Sequence, residues 1–314
     1  MMPPGDVSRA VELPGPWSHR YVAANGARFH VAEATGAPPD GPLVLLLHGF
    51  PEFWWAWRGQ LPALASAGYR AVAMDLRGYG GSDKTPRGYD PMTLARDVSG
   101  VVKALGERSA VLVGHGWGGY VGWATAVLHA REVSALAAVA APHPYAMLDL
   151  VRHVRRVDAI RHVLAMQVPR LPERRLADPG SGFLRRHLTE WSARGSSFPD
   201  DDAVAAYQAA ISLWPASHCA LEYHRWLLRS RVRADGRAFG RSLRVPVGQP
   251  VLCLTGDEDR ALPLDGMRVT RRHVVGPLTE SVLPGVGHFP AEEDPDGCTA
   301  ALLDWLATLP RRTG

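Results

Sequence analysis

The chain has 314 residues, 46% of them apolar and 21% charged, a composition that excludes disorder as the dominant state. Its three cysteines are too few for a disulfide scaffold. The net charge of +4 is mild, and with no basic repeat or zinc-finger spacing nucleic-acid binding is not expected. No stretch approaches the roughly 18–20 apolar residues of a membrane helix. The first residues lack the apolar run of a secretory signal, so a cytoplasmic setting is expected.

Along the chain, short apolar runs alternate with amphipathic stretches. The first run, at 42–47, ends in His48-Gly49-Phe50-Pro51, and a helix is expected over 55–65. A second run at 71–74 ends in Asp75-Leu76-Arg77-Gly78, followed by a helix over 92–105. The third, at 110–113, ends in Gly114-His115-Gly116 and leads into a helix over 119–128. A fourth, 133–140, ends in Ala141-Pro142-His143-Pro144. Apolar runs without alternation read as strands buried on both faces, as in a parallel sheet, and repeated strand–helix units imply a helix-covered sheet.

The pattern then breaks. Residues 143–245 show no clear buried strand, and helices are expected near 160–168, 203–213 and 219–230. This segment carries 17 arginines against 10 acidic residues. Strands resume at 250–254, before Gly256-Asp257-Glu258-Asp259, and at 281–283, before Gly285-Val286-Gly287-His288, with a closing helix over 291–308. The expected organisation is a doubly wound α/β core of residues 1–142 and 246–314, interrupted by an all-helical cap of 143–245.

In an open parallel sheet, ligands sit beyond the carboxyl ends of the strands. Gly114-His115-Gly116-Trp117-Gly118-Gly119 has the spacing of a nucleophile elbow, in which flanking glycines permit a tight strand-to-helix turn. His48-Gly49-Phe50-Pro51 follows an earlier strand, Asp259 follows a late one and His288 follows the last. The order of nucleophile slot, acid and histidine is that of the α/β-hydrolase arrangement.

Over residues 17–309, the chain resembles the α/β-hydrolase superfamily, in its epoxide hydrolase and haloalkane dehalogenase branch. The strings that carry the resemblance are His48-Gly49-Phe50-Pro51-Glu52, Asp75 to Asp83, Gly114 to Gly119, Ala141-Pro142-His143-Pro144 and Gly287-His288-Phe289. The resemblance implies that Asp259 is the acid, with Asp257 two residues away as the alternative, and that His288 is the general base. It implies that the backbone N–H groups of Phe50 and Trp117 are oxyanion donors. The family's Asp nucleophile is not matched, because Gly116 occupies that slot. Its two lid tyrosines are not matched either. Their places fall on His162 and His224, with Tyr223 adjoining the second. Trp54 or Trp55 is expected to wall the pocket. His48 and His115 are expected to shape the turns, and no metal or organic cofactor is implied.

The expected function is that of a hydrolase-like enzyme related to epoxide hydrolases, acting on a small or medium apolar substrate. His288, oriented by Asp259, would activate water directly. Two alternatives stand beside it: a catalytically inactive ligand-binding protein of the same fold, and a lyase or isomerase using the same base.

Overall fold

The computed structural model describes residues 9–146, 158–262 and 265–310. Eight strands form one sheet: β1 Trp17–Ala24, β2 Ala27–Ala34, β3 Leu43–Leu47, β4 Arg70–Met74, β5 Ala110–His115, β6 Val133–Val139, β7 Val251–Gly256 and β8 Leu278–Leu283. Their order is β1-β2-β4-β3-β5-β6-β7-β8. β2 runs antiparallel to β1 and β4, and the six strands from β4 to β8 are mutually parallel.

The expected buried strands are present. Every residue of β3, β5 and β7 is buried, as strands covered on both faces require. Each Leu of β3 contributes roughly 1.5–3 kcal/mol by leaving water. The β1–β2 hairpin, by contrast, has no counterpart among the expected strands. It turns at Asn25-Gly26, both with positive φ (44° and 71°), the conformation a two-residue hairpin turn selects.

Helices cover the sheet: α1 Gln60–Ser66, α2 Pro91–Ala104 and α3 Trp117–Leu128 in the first half. Asp90 caps α2 by accepting from the Thr93 N–H at 2.9 Å, with Pro91 at the first helical position. The buried guanidinium of Arg77 grips Asp97 of α2 with two hydrogen bonds of 2.6 and 2.7 Å, which fixes the loop after β4 to that helix.

Between β6 and β7 the described chain is helical: α4 Asp158–Ala165, α5 Leu171–Ala177, α6 Phe183–Trp191, α7 Asp201–Ser212, α8 Ala216–Arg229 and α9 Ala234–Ser242. Residues 147–157 of the expected cap lie outside the described residues. α5, α6 and α9 are additional to the three helices expected there. α10 Asp265–Thr270 follows β7. The closing helix is split into α11 Pro290–Glu293 and α12 Pro295–Ala307 by Pro295, which cannot extend the helix before it.

Because the strands from β4 to β8 are parallel, the loops after β3, β4, β5, β7 and β8 converge at one edge of the sheet. His48–Pro51, the elbow, Asp259 and His288 all lie there. No described helix is long and apolar enough to cross a membrane.

Candidate active site

The elbow is built by close backbone contact. A Cβ on Gly114 would lie 2.4 Å from the Gly118 carbonyl oxygen, and one on Gly118 would lie 2.2 Å from that of Leu47. Only glycine allows α3 to start this close to β5 and β3. Gly116 caps α3 with φ 50° and ψ −112°, a region L-residues rarely adopt. The position itself is open. A Cβ there would meet Gly49 Cα and His288 Nε2 first, both at 3.7 Å.

His288 follows β8, and its Nδ1–H donates to Asp259 Oδ2 at 3.0 Å. The other Asp259 oxygen accepts from the Ala261 and Leu262 N–H groups at 2.8 and 2.9 Å. The carboxylate is therefore held, and it holds the ring. Asp257, the alternative acid, is exposed and accepts from the Gly285 N–H. The geometry thus separates the two candidates: Asp259 meets His288 and Asp257 serves a turn.

Beneath the elbow, His115 Nδ1 lies 2.7 Å from Glu52 Oε2 and its Nε2 lies 2.7 Å from the His288 carbonyl oxygen. Both partners only accept, so His115 donates from both nitrogens and is an imidazolium. Burial opposes that charge, but Glu52 and the His288 carbonyl raise its pKa above the ordinary value. The pair fixes the backbone of His288 from below. His48 also shapes a turn, because its Nε2 accepts from the Leu76 N–H at 3.0 Å.

Above the elbow the inserted helices bring in three histidines. His162 (α4), His187 (α6) and His224 (α8) surround the Phe50 ring, with centroids 5.4, 5.4 and 4.8 Å from it. Trp191 bridges this cage to His288, at 4.9 Å from His162 and 5.0 Å from His288. The tautomers follow from the partners. The Trp117 indole can only donate, and it lies 3.1 Å from His224 Nε2. His224 Nε2 is therefore an acceptor, and its Nδ1–H faces the Ala220 carbonyl at 3.2 Å. His162 Nε2 lies 3.1 Å from the same nitrogen. Burial first, then neighbouring histidines, pushes the pKa of His162 well below the ordinary value and that of His187 down to about 3. Burial likewise lowers His224 to about 3. The cage is uncharged near neutral pH.

Three expected site residues lie elsewhere. The Tyr223 hydroxyl donates to the Arg77 carbonyl at 2.8 Å, and its ring packs on Tyr79 and Trp117. Trp54 is fully buried, and its indole donates to the Val11 carbonyl amid Trp17 and His19. Trp55 packs against Tyr207 under the Arg58 guanidinium. Neither tryptophan takes the expected pocket-wall place: Trp54 fills the core and Trp55 the contact with α7. Two residues absent from the expectations, His187 and Trp191, stand in the cage. Their only sequence signal is a four-residue spacing that puts both on one face of α6.

Residues 42–295 match the family model described as the alpha/beta hydrolase fold. The chain belongs to this family. Epoxide hydrolase A of Mycobacterium tuberculosis is 32% identical over 94% of the chain and 99% of its own length. Epoxide hydrolase 3 of Xenopus tropicalis is 32% identical over 92% of the chain and 77% of its own length. Among solved structures, epoxide hydrolase A of Mycobacterium thermoresistibile superposes with a TM-score of 0.78 at 26% identity, over 94% of this chain and 100% of that one. An epoxide hydrolase from an endophytic Streptomyces gives 0.80 at 28% identity, over 94% and 97%. This alpha/beta hydrolase is thus related to epoxide hydrolases across nearly its whole length. Among its described residues, no group of three or more His, Cys, Asp or Glu is arranged to hold a metal ion.

Proposed function

We propose that the chain is a hydrolase acting on a small or medium apolar substrate, an epoxide foremost, without a nucleophile of its own at the elbow. One observation carries the reading. His288 Nε2 faces the open position over Gly116 at 3.7 Å from where a Cβ would stand, while its Nδ1–H is tied to Asp259. A base so oriented deprotonates a water molecule seated over Gly116. That water attacks an electrophilic carbon directly. The C–O bond of the epoxide breaks, and the oxygen, hydrogen-bonded by a histidine of the cap, takes up the proton that His288 removed from the water, which restores the base. The His224 Nε2 lone pair is taken by the Trp117 indole, so of the two histidines standing in for lid tyrosines His162 is the one left to hydrogen-bond this oxygen. The backbone N–H groups of Phe50, on the loop after β3, and of Trp117, the first residue of α3, serve as oxyanion donors when the substrate develops negative charge. The helices between β6 and β7 act as the cap over this site.

A second reading also has an observation in its favour. Glycine relieves the strain of φ 50° at the elbow, as a ligand-binding protein freed from catalysis allows. Turnover of a panel of epoxides, haloalkanes and esters by the protein and its His288→Ala variant separates the two. Hydrolysis lost in the variant by roughly 10²-fold or more supports the base. No turnover by either protein transfers the assignment to binding or to a lyase reaction using the same pair.

A further inference from the structure

We propose that the space over Gly116 is a seat for a small carboxylate, free in solution or carried at one end of the substrate. This deepens the proposed function. It rests on the same His288–Asp259 pair but requires no turnover.

A carbon placed at the Gly116 Cβ position touches Gly49 Cα and His288 Nε2 at 3.7 Å, ordinary contact distance. An oxygen attached to that carbon comes within hydrogen-bond reach of Nε2. His288 is buried, its Nδ1 is taken by Asp259, and its Nε2 has no hydrogen-bond partner among the described residues. α3 runs for twelve residues from this point, and the N–H groups of its first turn have no acceptor within the helix. In the cage above, the buried His187 Nε2 also has no partner. The helix N–H groups are donors, and the His288 Nε2 shares a proton with an oxygen placed against it; a carboxyl group answers both, and a hydrocarbon does not.

The charges around the seat also bear on the ligand. The titratable groups near it are His115 with Glu52 from below, His288 with Asp259 at the side, Glu293, which accepts from the Gly287 and Phe289 N–H groups, and His162, His187 and His224 from α4, α6 and α8. Glu52 and His115 offset each other, and the cap histidines are neutral. A carboxylate brings a further negative charge beside Asp259 and Glu293, so a proton accompanies it into the site. The bound state is then a carboxylate, an imidazolium and Asp259 in line.

The test is equilibrium binding of acetate to the full chain by calorimetry, in two buffers of different ionisation heat, with His288 ring resonances followed by NMR. Acetate is expected to bind roughly tenfold tighter than acetamide, to take up a proton and to shift the His288 signals. Gly116→Ala, which puts a methyl group in the seat, is expected to abolish binding. If that variant does not fold, the His288 shifts in the unmodified protein decide. Hexanoate binding tighter than acetate assigns the seat to a substrate-borne carboxylate, and equal affinity assigns it to a free one. Acetate binding no better than acetamide, or without moving the His288 signals, overturns the proposal. Acetate binding without hydrolysis of any substrate leaves the seat and removes the hydrolase reading. Turnover without acetate binding does the reverse.

Discussion

His288 and its two neighbouring aspartates show how much chemistry depends on which side chain reaches which. Asp259 contacts the ring, whereas Asp257 accepts from a turn N–H. Asp259→Asn is expected to lower turnover by roughly 10²–10⁴-fold, because an amide no longer fixes the tautomer that frees Nε2. Asp257→Asn is expected to stay within a factor of a few. Steady-state rates of the two variants on the same substrate check this. Gly116→Asp is expected to cost roughly 1 kcal/mol or more, from strain at φ 50° and a buried carboxylate, and to gain epoxide hydrolysis. Thermal melting and product assay read the two effects, and an unchanged melting temperature would count against strain at this position. The places of Asp259, His288 and Gly116 were legible in the sequence because each follows a strand in a glycine-containing turn, two of them after the fully buried β7 and β5. Asp259 was preferred there over Asp257, which also follows β7 within three residues, and only the contact with His288 separates the two. His187 was illegible for another reason: it sits in Leu184-Arg185-Arg186-His187-Leu188, which reads as a solvated face until α6 is packed.

Among the elements, the buried strands of the sheet were readable because their runs lack alternation. The β1–β2 hairpin was not, because β1 is a half-exposed edge strand with mixed burial; its signal was the Asn25-Gly26 turn rather than the strands. The helices between β6 and β7 divide similarly. α7, whose N-cap Asp200 accepts from Ala203 N–H, announces itself, whereas α5 and α9 are short, arginine-rich and weakly apolar. α9 also offers a stability test. A Cβ on Gly240 would meet only the Tyr145 hydroxyl, at 3.8 Å. Gly240→Ala is therefore expected to stabilise the protein by roughly 0.5–1 kcal/mol, because alanine loses less backbone freedom in a helix. The melting temperature should rise by about 1–3 °C.

At the scale of the whole molecule, buried neutral histidines set the acid limb of stability. The pKa values of His143, His187 and His224 are lowered from 6.5 to about 3, by burial above all. In the unfolded chain these rings take protons near 6.5, and in the folded protein they do not. The stability they allow is complete above 6.5 and is lost as pH falls toward 3, at up to about 1.4 kcal/mol per pH unit for each ring. Melting temperature should fall steadily across that window, and His187→Phe should flatten the fall. An identical slope in the variant would show that His187 is already charged in the folded state. The open elbow has a consequence for descent as well. Two of the four glycine codons, GGT and GGC, become aspartate codons by one base change, and a Cβ at Gly116 meets its first neighbours only at 3.7 Å. From either codon, one base separates an elbow without a side chain from one that carries a carboxylate facing His288.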